Sequence, residues 1–328
     1  MTNLDKLVNV IKSNHVFIQT HNFPDPDALS SAFGLKKLLS SRNISSTICY
    51  KGKIDRHNTK KMMEFFGIEA YNVDSLEKLD ETSEVILIDA QKGNGNTDDI
   101  IGNEIACIDH HPVSNDIKYR FSDIRPDIGA CASIIASYFK ENNIPMDKDI
   151  SEVLLYGIKI DTADMTRGVS RMDLDMFYEL FQRTDRRRIA MLASDVLQLD
   201  DLKAFASAIE SIIIKDNIGF ANTGNNCPEA LIATIADFML EIVDVNIALV
   251  YSIKERGIKL SIRCTKHSEI NAGSVIIEAL KGLGTGGGHS LLAGGFVPVE
   301  SGVTDEIKNN IIEELRERII KAVKGFAE

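Results

Sequence analysis

Through the first half of the chain, short apolar runs alternate with helical patterns. Runs at 15–20, 45–50 ("SSTICY"), 84–89 ("EVILID") and 104–109 ("EIACID") predict strands. Between and after them, 28–41, 58–66 and 129–140 predict helices. Strand–helix alternation of this kind is the mark of βαβ units, so the first half predicts an α/β domain with a mostly parallel sheet flanked by helices. From about 148 to 213 the pattern is mostly helical. The last third changes rhythm. "VNIALVYSI" and "IKLSIRCT" flank "KERG" and predict an antiparallel hairpin, with helices at "PEALIATIADFMLEI" and "EINAGSVIIEALKG". The tail places Ile307, Ile311, Leu315 and Ile319 on one stripe, widened by Ile312 and Val323, as in an amphipathic closing helix. We expect a catalytic domain over 1–190, a helical linker over 191–213 and a smaller α+β domain over 214–328.

At 328 residues the chain has room for two cores. A formal charge of −11 argues against tracking of long nucleic acid, which calls for a basic stripe. It leaves small anionic substrates open, because a bound cation supplies positive charge locally. Five cysteines without a CxxC pair point to a reducing interior, away from a disulfide framework or a cysteine zinc site. The N-terminal residues lack the apolar core of a signal peptide, and no apolar run reaches membrane-spanning length. The expected compartment is the cytoplasm, with no membrane partner.

The chemistry-bearing residues fall at strand ends, except that Asp161 closes a helical pattern. "HNFPDPD" puts His21, Asp25 and Asp27 after the first strand. Asp89 closes "EVILID", Asp109, His110 and His111 follow in "IDHHP", and Asp161 ends "LLYGIKI". Singly, each acid has an ordinary explanation as a turn former or helix cap, Asp27 as the cap of a helix beginning at Ala28. A parallel sheet, however, brings its strand C-termini to one edge. Two bare carboxylates about 4 Å apart repel by roughly 4 kcal/mol at an effective dielectric near 20. Such a cluster therefore needs protons or divalent cations. Aspartates and histidines without cysteine suit Mn²⁺, Mg²⁺ or Co²⁺, two of which can share a carboxylate and activate water for attack on phosphorus.

The glycine-rich "GLGTGGGHSLLAGGF" (282–296) fails both familiar phosphate-loop patterns. It lacks Lys-Ser/Thr after its last glycine, and a helical pattern precedes it where the dinucleotide fingerprint needs a strand. What it offers is backbone open to close approach, with His289 at its end; the plainer reading is a flexible turn. Arg263 sits on the face of its strand opposite Ile258, Leu260 and Ile262, where it is either solvated or within reach of a phosphate. The basic run "RTDRRR" (183–188) reads best as a solvated helix end.

"THNFPDPDALSS", "VILIDA", "CIDHHP" and "GIKIDT", in that order, resemble the four metal-binding motifs of the DHH phosphoesterases, and "GTGGGHSLLAGGF" after "LSIR" resembles the signature of their DHHA1 domain. The subgroup most similar in pattern is the nanoRNase/pAp-phosphatase type, which includes cyclic-dinucleotide phosphodiesterases. The resemblance implies a two-domain, Mn²⁺-dependent enzyme with an interdomain active site. It implies His21, Asp25 and Asp89 on one metal, and Asp27, Asp89, His110 and Asp161 on the other. It implies Asp109 as a support for His110, His111 on the substrate phosphate, and Arg263, Gly287, Gly288 and His289 gripping the nucleotide. Every metal position of the pattern is filled. One departure is that "SLL" separates the GGGH run from Ala293-Gly294, on the wall that sets specificity.

The expected substrates are short oligoribonucleotides, linear dinucleotides such as pApA and pGpG, nucleotide 3′,5′-bisphosphates such as pAp, and cyclic di-AMP. A pyrophosphatase or exopolyphosphatase is the first alternative, although a glycine-rich loop stands where such relatives tend to carry Lys and Arg. A non-catalytic nucleotide sensor is the second. The sequence is compatible with a homodimer and does not distinguish it from a monomer.

Overall fold

A computed structural model describes residues 1–328 except 55, 114–116, 195–196, 266–267, 301 and 328, so His267 lies outside the described residues. Two compact units result, Met1–Val196 and Leu197–Glu328.

The first unit runs α1 (Asn3–Val10), β1 (His15–Gln19), α2 (Pro26–Ser40), β2 (Ser45–Tyr50), α3 (His57–Phe66), β3 (Ala70–Asn72), β4 (Glu84–Ile88), β5 (Asn103–Asp109) and β6 (Phe121–Ile124). Four helices follow, α4 (Cys131–Glu141), α5 (Lys148–Asp161), α6 (Arg171–Phe181) and α7 (Arg186–Ala193). The sheet has the order β3-β2-β1-β4-β5-β6, and every pairing is parallel. Its strands read as nearly continuous apolar runs because both faces are covered. The pleat sorts alternate residues: Val16, Ile18, Ile86, Ile88, Ala106 and Ile108 join the large core that includes residues of α2, α4 and α5. Phe17, Val85, Leu87 and Cys107 face the other way, against Val73, Leu76, Leu79 and Ile100. The order reverses between β1 and β4, so the crevice beyond their carboxyl ends is the natural ligand position.

The short edge strands β3 and β6 carry too little apolar pattern to be seen in sequence. The "RTDRRR" run is a helix start. Asp185 accepts from the Arg187 N–H at 2.9 Å, Arg188 pairs with Asp149 and Glu152, and Arg183 pairs with Glu179.

The second unit runs α8 (Leu199–Glu210), β7 (Ile213–Lys215), β8 (Ile218–Asn225), α9 (Glu229–Met239), β9 (Ile247–Lys254), β10 (Gly257–Cys264), α10 (Ala272–Ala279), β11 (Thr285–Gly288), β12 (Leu292–Pro298) and α11 (Asp305–Ala327). Its mixed sheet has the order β11-β12-β10-β9-β8-β7, with β8 and β9 parallel and the other pairs antiparallel. The predicted hairpin is β9–β10. α8 packs within this unit, Ser207 Oγ donating to the Asn222 carbonyl at 3.0 Å. On α11 the stripe buries Ile312, Leu315 and Ile319, whereas Ile307 is exposed. All five cysteines are free and buried, and no described helix is long and apolar enough to cross a membrane.

Candidate metal centre

The turn after β1 aims two acids differently. Asp25 is the N-cap of α2, its Oδ1 accepting from the backbone N–H groups of Asp27 (3.0 Å) and Ala28 (3.1 Å), with Pro26 in the first helical turn. The cap expected at Asp27 is thus two positions too late. Asp27 lies inside the helix, fully buried, and caps a different one. α4 has Ala130 at its N-cap and no side-chain cap of its own. Asp27 supplies the acceptors instead, Oδ2 to the Cys131 N–H at 2.7 Å and Oδ1 to the Ala132 N–H at 3.0 Å. α5 passes close enough for Asp161, its last residue, to reach the cluster only because residue 157 is glycine. A Cβ there would stand 2.1 Å from Ser30 Oγ and 3.1 Å from Asp27 Oδ1.

Asp89 directly follows β4 in the left-handed region, at φ +54°. Its carboxylate stands between two groups. His21 Nε2 is 3.6 Å from Asp89 Oδ2 and 3.8 Å from Asp25 Oδ1. His110 Nε2 is 3.3 Å from Asp89 Oδ1 and 3.2 Å from Asp161 Oδ2. Both imidazoles are held by their other nitrogen, His21 Nδ1 donating to the Asn22 carbonyl (2.7 Å) and His110 Nδ1 to the Ile128 carbonyl (3.0 Å). Each therefore turns Nε2 toward the acids. Donor atoms of His21, Asp25 and Asp89 lie within 4.8 Å of one another, as do those of Asp27, His110 and Asp161 and those of Asp89, His110 and His111.

Asp109 does not orient the His110 ring, contrary to the expectation. Its Oδ1 accepts from the His110 backbone N–H and from His111 Nδ1, both at 2.8 Å, and its Oδ2 accepts from Gln91 Nε2 at 2.6 Å. The ring it fixes is that of His111, leaving His111 Nε2 as the available nitrogen. Gln91, which sequence patterns do not reveal, also donates to the His111 carbonyl at 3.1 Å. Arg167 was equally invisible; it donates to the Asp161 carbonyl at 2.8 Å and so anchors the end of α5.

Charge balance tests whether these residues fit cations. Burial, then repulsion from Asp89 and Asp161, pushes the Asp27 carboxyl well above its ordinary range. Burial and Asp25 push Asp161 up to about 6. Burial opposes protonation of His21, but the hydrogen bond and charge of Asp25, with Asp89, raise it to about 9. His110 is likewise raised by Asp89 against the effect of burial. The cluster thus holds protons wherever positive charge is missing. Asp89 Oδ1 is buried and receives no well-aligned hydrogen bond. Two ligands about 2.1 Å from one ion at right angles stand about 3 Å apart, close to the 3.2–3.8 Å separations found here. Acid-and-imidazole donors of this kind fit divalent cations.

The remaining predicted residues lie in the second unit. Arg263 is not a free cation: Nε donates to Asp237 Oδ1 at 2.8 Å, and Nη1 to Ser261 Oγ at 3.0 Å. Lys259 pairs in the same way with Glu229 at 2.8 Å, so acids of α9 face the basic residues of β10. The glycine run forms an edge strand, β11 pairing Gly287 with Gly294 and Gly288 with Ala293. Gly284, Gly286 and Gly288 are needed there, because a Cβ would strike Phe296, Leu280 and Ala293. Gly287 differs. It is exposed, and a Cβ would meet nothing within 4 Å. His289 is exposed at the end of the strand.

Fold and site together define an α/β chain whose parallel sheet carries an acid-and-imidazole cluster suited to divalent cations. The sequence profile "DHH family, N-terminal domain" matches residues 15–158, and "DHHA1 domain" matches residues 212–325. The chain belongs to the DHH/DHHA1 phosphoesterase family. It is 29% identical over 317 residues to an uncharacterized protein of Methanocaldococcus jannaschii, covering 95% of this chain and 65% of that one, so it spans about two thirds of that relative's length. A probable manganese-dependent inorganic pyrophosphatase of Streptococcus thermophilus is 26% identical over 255 residues, 74% of this chain and 79% of that one. An exopolyphosphatase-related protein from Bacteroides fragilis shares the fold, with a TM-score of 0.79 at 16% identity over 99% of this chain and 98% of that one.

Proposed function

We propose that this chain hydrolyses phosphate esters of small nucleotides at a centre of two divalent cations, with Mn²⁺ the preferred ion. The observation carrying this reading is the placement of Asp89, whose two carboxylate oxygens face His21 and His110. His21, Asp25 and Asp89 would hold one cation, and Asp27, Asp89, His110 and Asp161 the other. Cations bound there would polarise a phosphoryl group and lower the pKa of a water at neutral pH. The protein's own part is positional. Asp109, its carboxyl pulled below the usual range by His111 against the effect of burial, aims the His111 imidazole and favours its protonated form against burial. A cationic donor so placed suits a phosphoryl oxygen as charge develops on it, and can pass a proton to the departing oxygen. Exposed Gly287 and His289 are suited to a phosphate or a base, and Arg263 would join them only by leaving Asp237.

Within this reading the substrates are short oligoribonucleotides, pApA, pGpG, pAp and cyclic di-AMP. The acidic chain, without a basic stripe, favours substrates of a few nucleotides. Similarity to a probable manganese-dependent pyrophosphatase favours inorganic pyrophosphate as a second reading. Purified protein with Mn²⁺, offered these nucleotides and pyrophosphate, separates the two. Turnover of a nucleotide at higher kcat/KM than pyrophosphate is expected, and the reverse ranking, or no nucleotide turnover, overturns the first reading.

A further inference from the structure

The residue between His21 and Asp25 that no ligand role explains is Phe23. It carries a bulky side chain at φ +54°, a backbone region that favours glycine or asparagine. The residue is 59% exposed, so burial does not compensate the strained backbone. Either half of that combination has ordinary explanations; the pair does not, because asparagine would fit the turn with less strain and less exposed apolar surface.

The backbone under the ring is fixed on three sides. The Phe23 N–H donates to the Lys51 carbonyl at 3.1 Å, and the Asn22 N–H to the Asn96 carbonyl at 2.7 Å. Asn22 Nδ2 donates to Asp98 Oδ1 at 2.9 Å, and Asn22 Oδ1 accepts from the Asp98 N–H at 3.2 Å. The ring rests against Gly52, where a Cβ would lie 2.8–3.0 Å from three of its atoms. The Gly52 carbonyl is in turn held by Asn72 Nδ2 at 2.7 Å. The result is an aromatic plane backed by protein, bare to solvent, two residues from two candidate cation ligands and beside the switch between β1 and β4.

We propose that Phe23 is a stacking platform for a nucleobase of the substrate, and so a specificity determinant that favours nucleotides over base-free phosphates. Every base offers a π-face, so one fixed aromatic plane binds bases with little sequence preference while the cations take the phosphate. This inference rests on the nucleotide reading above.

Two measurements test it separately from that reading. The chain has no tryptophan, so Phe23→Trp places a single tryptophan at the platform, excited selectively at wavelengths that tyrosine does not absorb. Titrating that variant, with Ca²⁺ in place of Mn²⁺, should show quenching by pApA and none by an abasic analogue of pApA. Emission indifferent to pApA overturns the platform, whatever the enzyme hydrolyses. Quenching without turnover keeps the platform and sinks the nucleotide hydrolase. In steady state, Phe23→Ala should raise KM for pApA about tenfold, the effect of losing one base–aromatic contact. KM for the abasic analogue and kcat should stay near wild type, with Phe23→Trp restoring KM for pApA. Equal losses on both substrates, or no loss on either, overturn the proposal.

Discussion

Asp89 concentrates the chemistry of the site in one side chain. Its backbone is in the left-handed region and its buried Oδ1 lacks a well-aligned hydrogen bond. Asp89→Ala should abolish turnover and most of the thermal stabilisation by Mn²⁺, because its two oxygens face both halves of the cluster. Calorimetry with and without Mn²⁺ checks this, and a Mn²⁺-dependent rise in Tm as large as that of wild type would contradict it. Asp27 behaves differently because it has two tasks. Asp27→Ala uncaps α4 as well as removing a carboxylate from the cluster, so about 1–2 kcal/mol of metal-free stability should be lost together with activity. His21 adds a pH signature. With its pKa raised from 6.5 to about 9, the folded metal-free protein binds a proton that the unfolded chain releases. That stabilisation is fully present below about pH 6.5 and is lost as pH rises through about 9; it is on the order of 3 kcal/mol. Urea denaturation of chelated protein at pH 6 and pH 9 should show the fall, and His21→Gln should make it smaller without removing it, because His110, Asp27 and Asp161 also hold protons more tightly in the folded chain.

The elements that position these residues depend on where side chains are absent. Gly157 lets α5 lie against α2, and Gly157→Ala should cost about 1–3 kcal/mol through the collision with Ser30, read as a lower denaturation midpoint. Gly287 is the opposite case, since space is open around it. Gly287→Ala should leave stability within about 0.5 kcal/mol and raise KM for the nucleotide; a stability loss without a KM effect would assign Gly287 to folding. These contrasts separate what the sequence makes legible from what it does not. Long apolar runs such as 84–88 and 104–109 announce buried parallel strands, and the acids at their ends announce the sheet edge. The strand within the glycine run is hidden because glycine has no strand propensity, and only its pairing with β12 makes it one. The partners of Arg263 are hidden for another reason: Asp237 lies 26 residues away, on a helix whose face sequence alone does not assign.

At the scale of the whole molecule, two units each close their own core, and the acids of the cation cluster all come from the first. The gathering of Asp25, Asp27, Asp89 and His110 was legible because a parallel sheet brings its strand ends to one edge, whereas Asp161, at the end of a helix, was placed there only by the resemblance. Gln91, Arg167 and the Ile128 carbonyl were not, because each acts through a hydrogen bond that only the folded chain creates. Cations binding only the folded state should raise Tm with the logarithm of their free concentration above Kd, and EDTA should reverse the shift. The most direct test of the central claim is the stoichiometry of Mn²⁺ binding by isothermal titration calorimetry of chelator-stripped protein. The account predicts two Mn²⁺ per chain, and one ion per chain, or none, would contradict it.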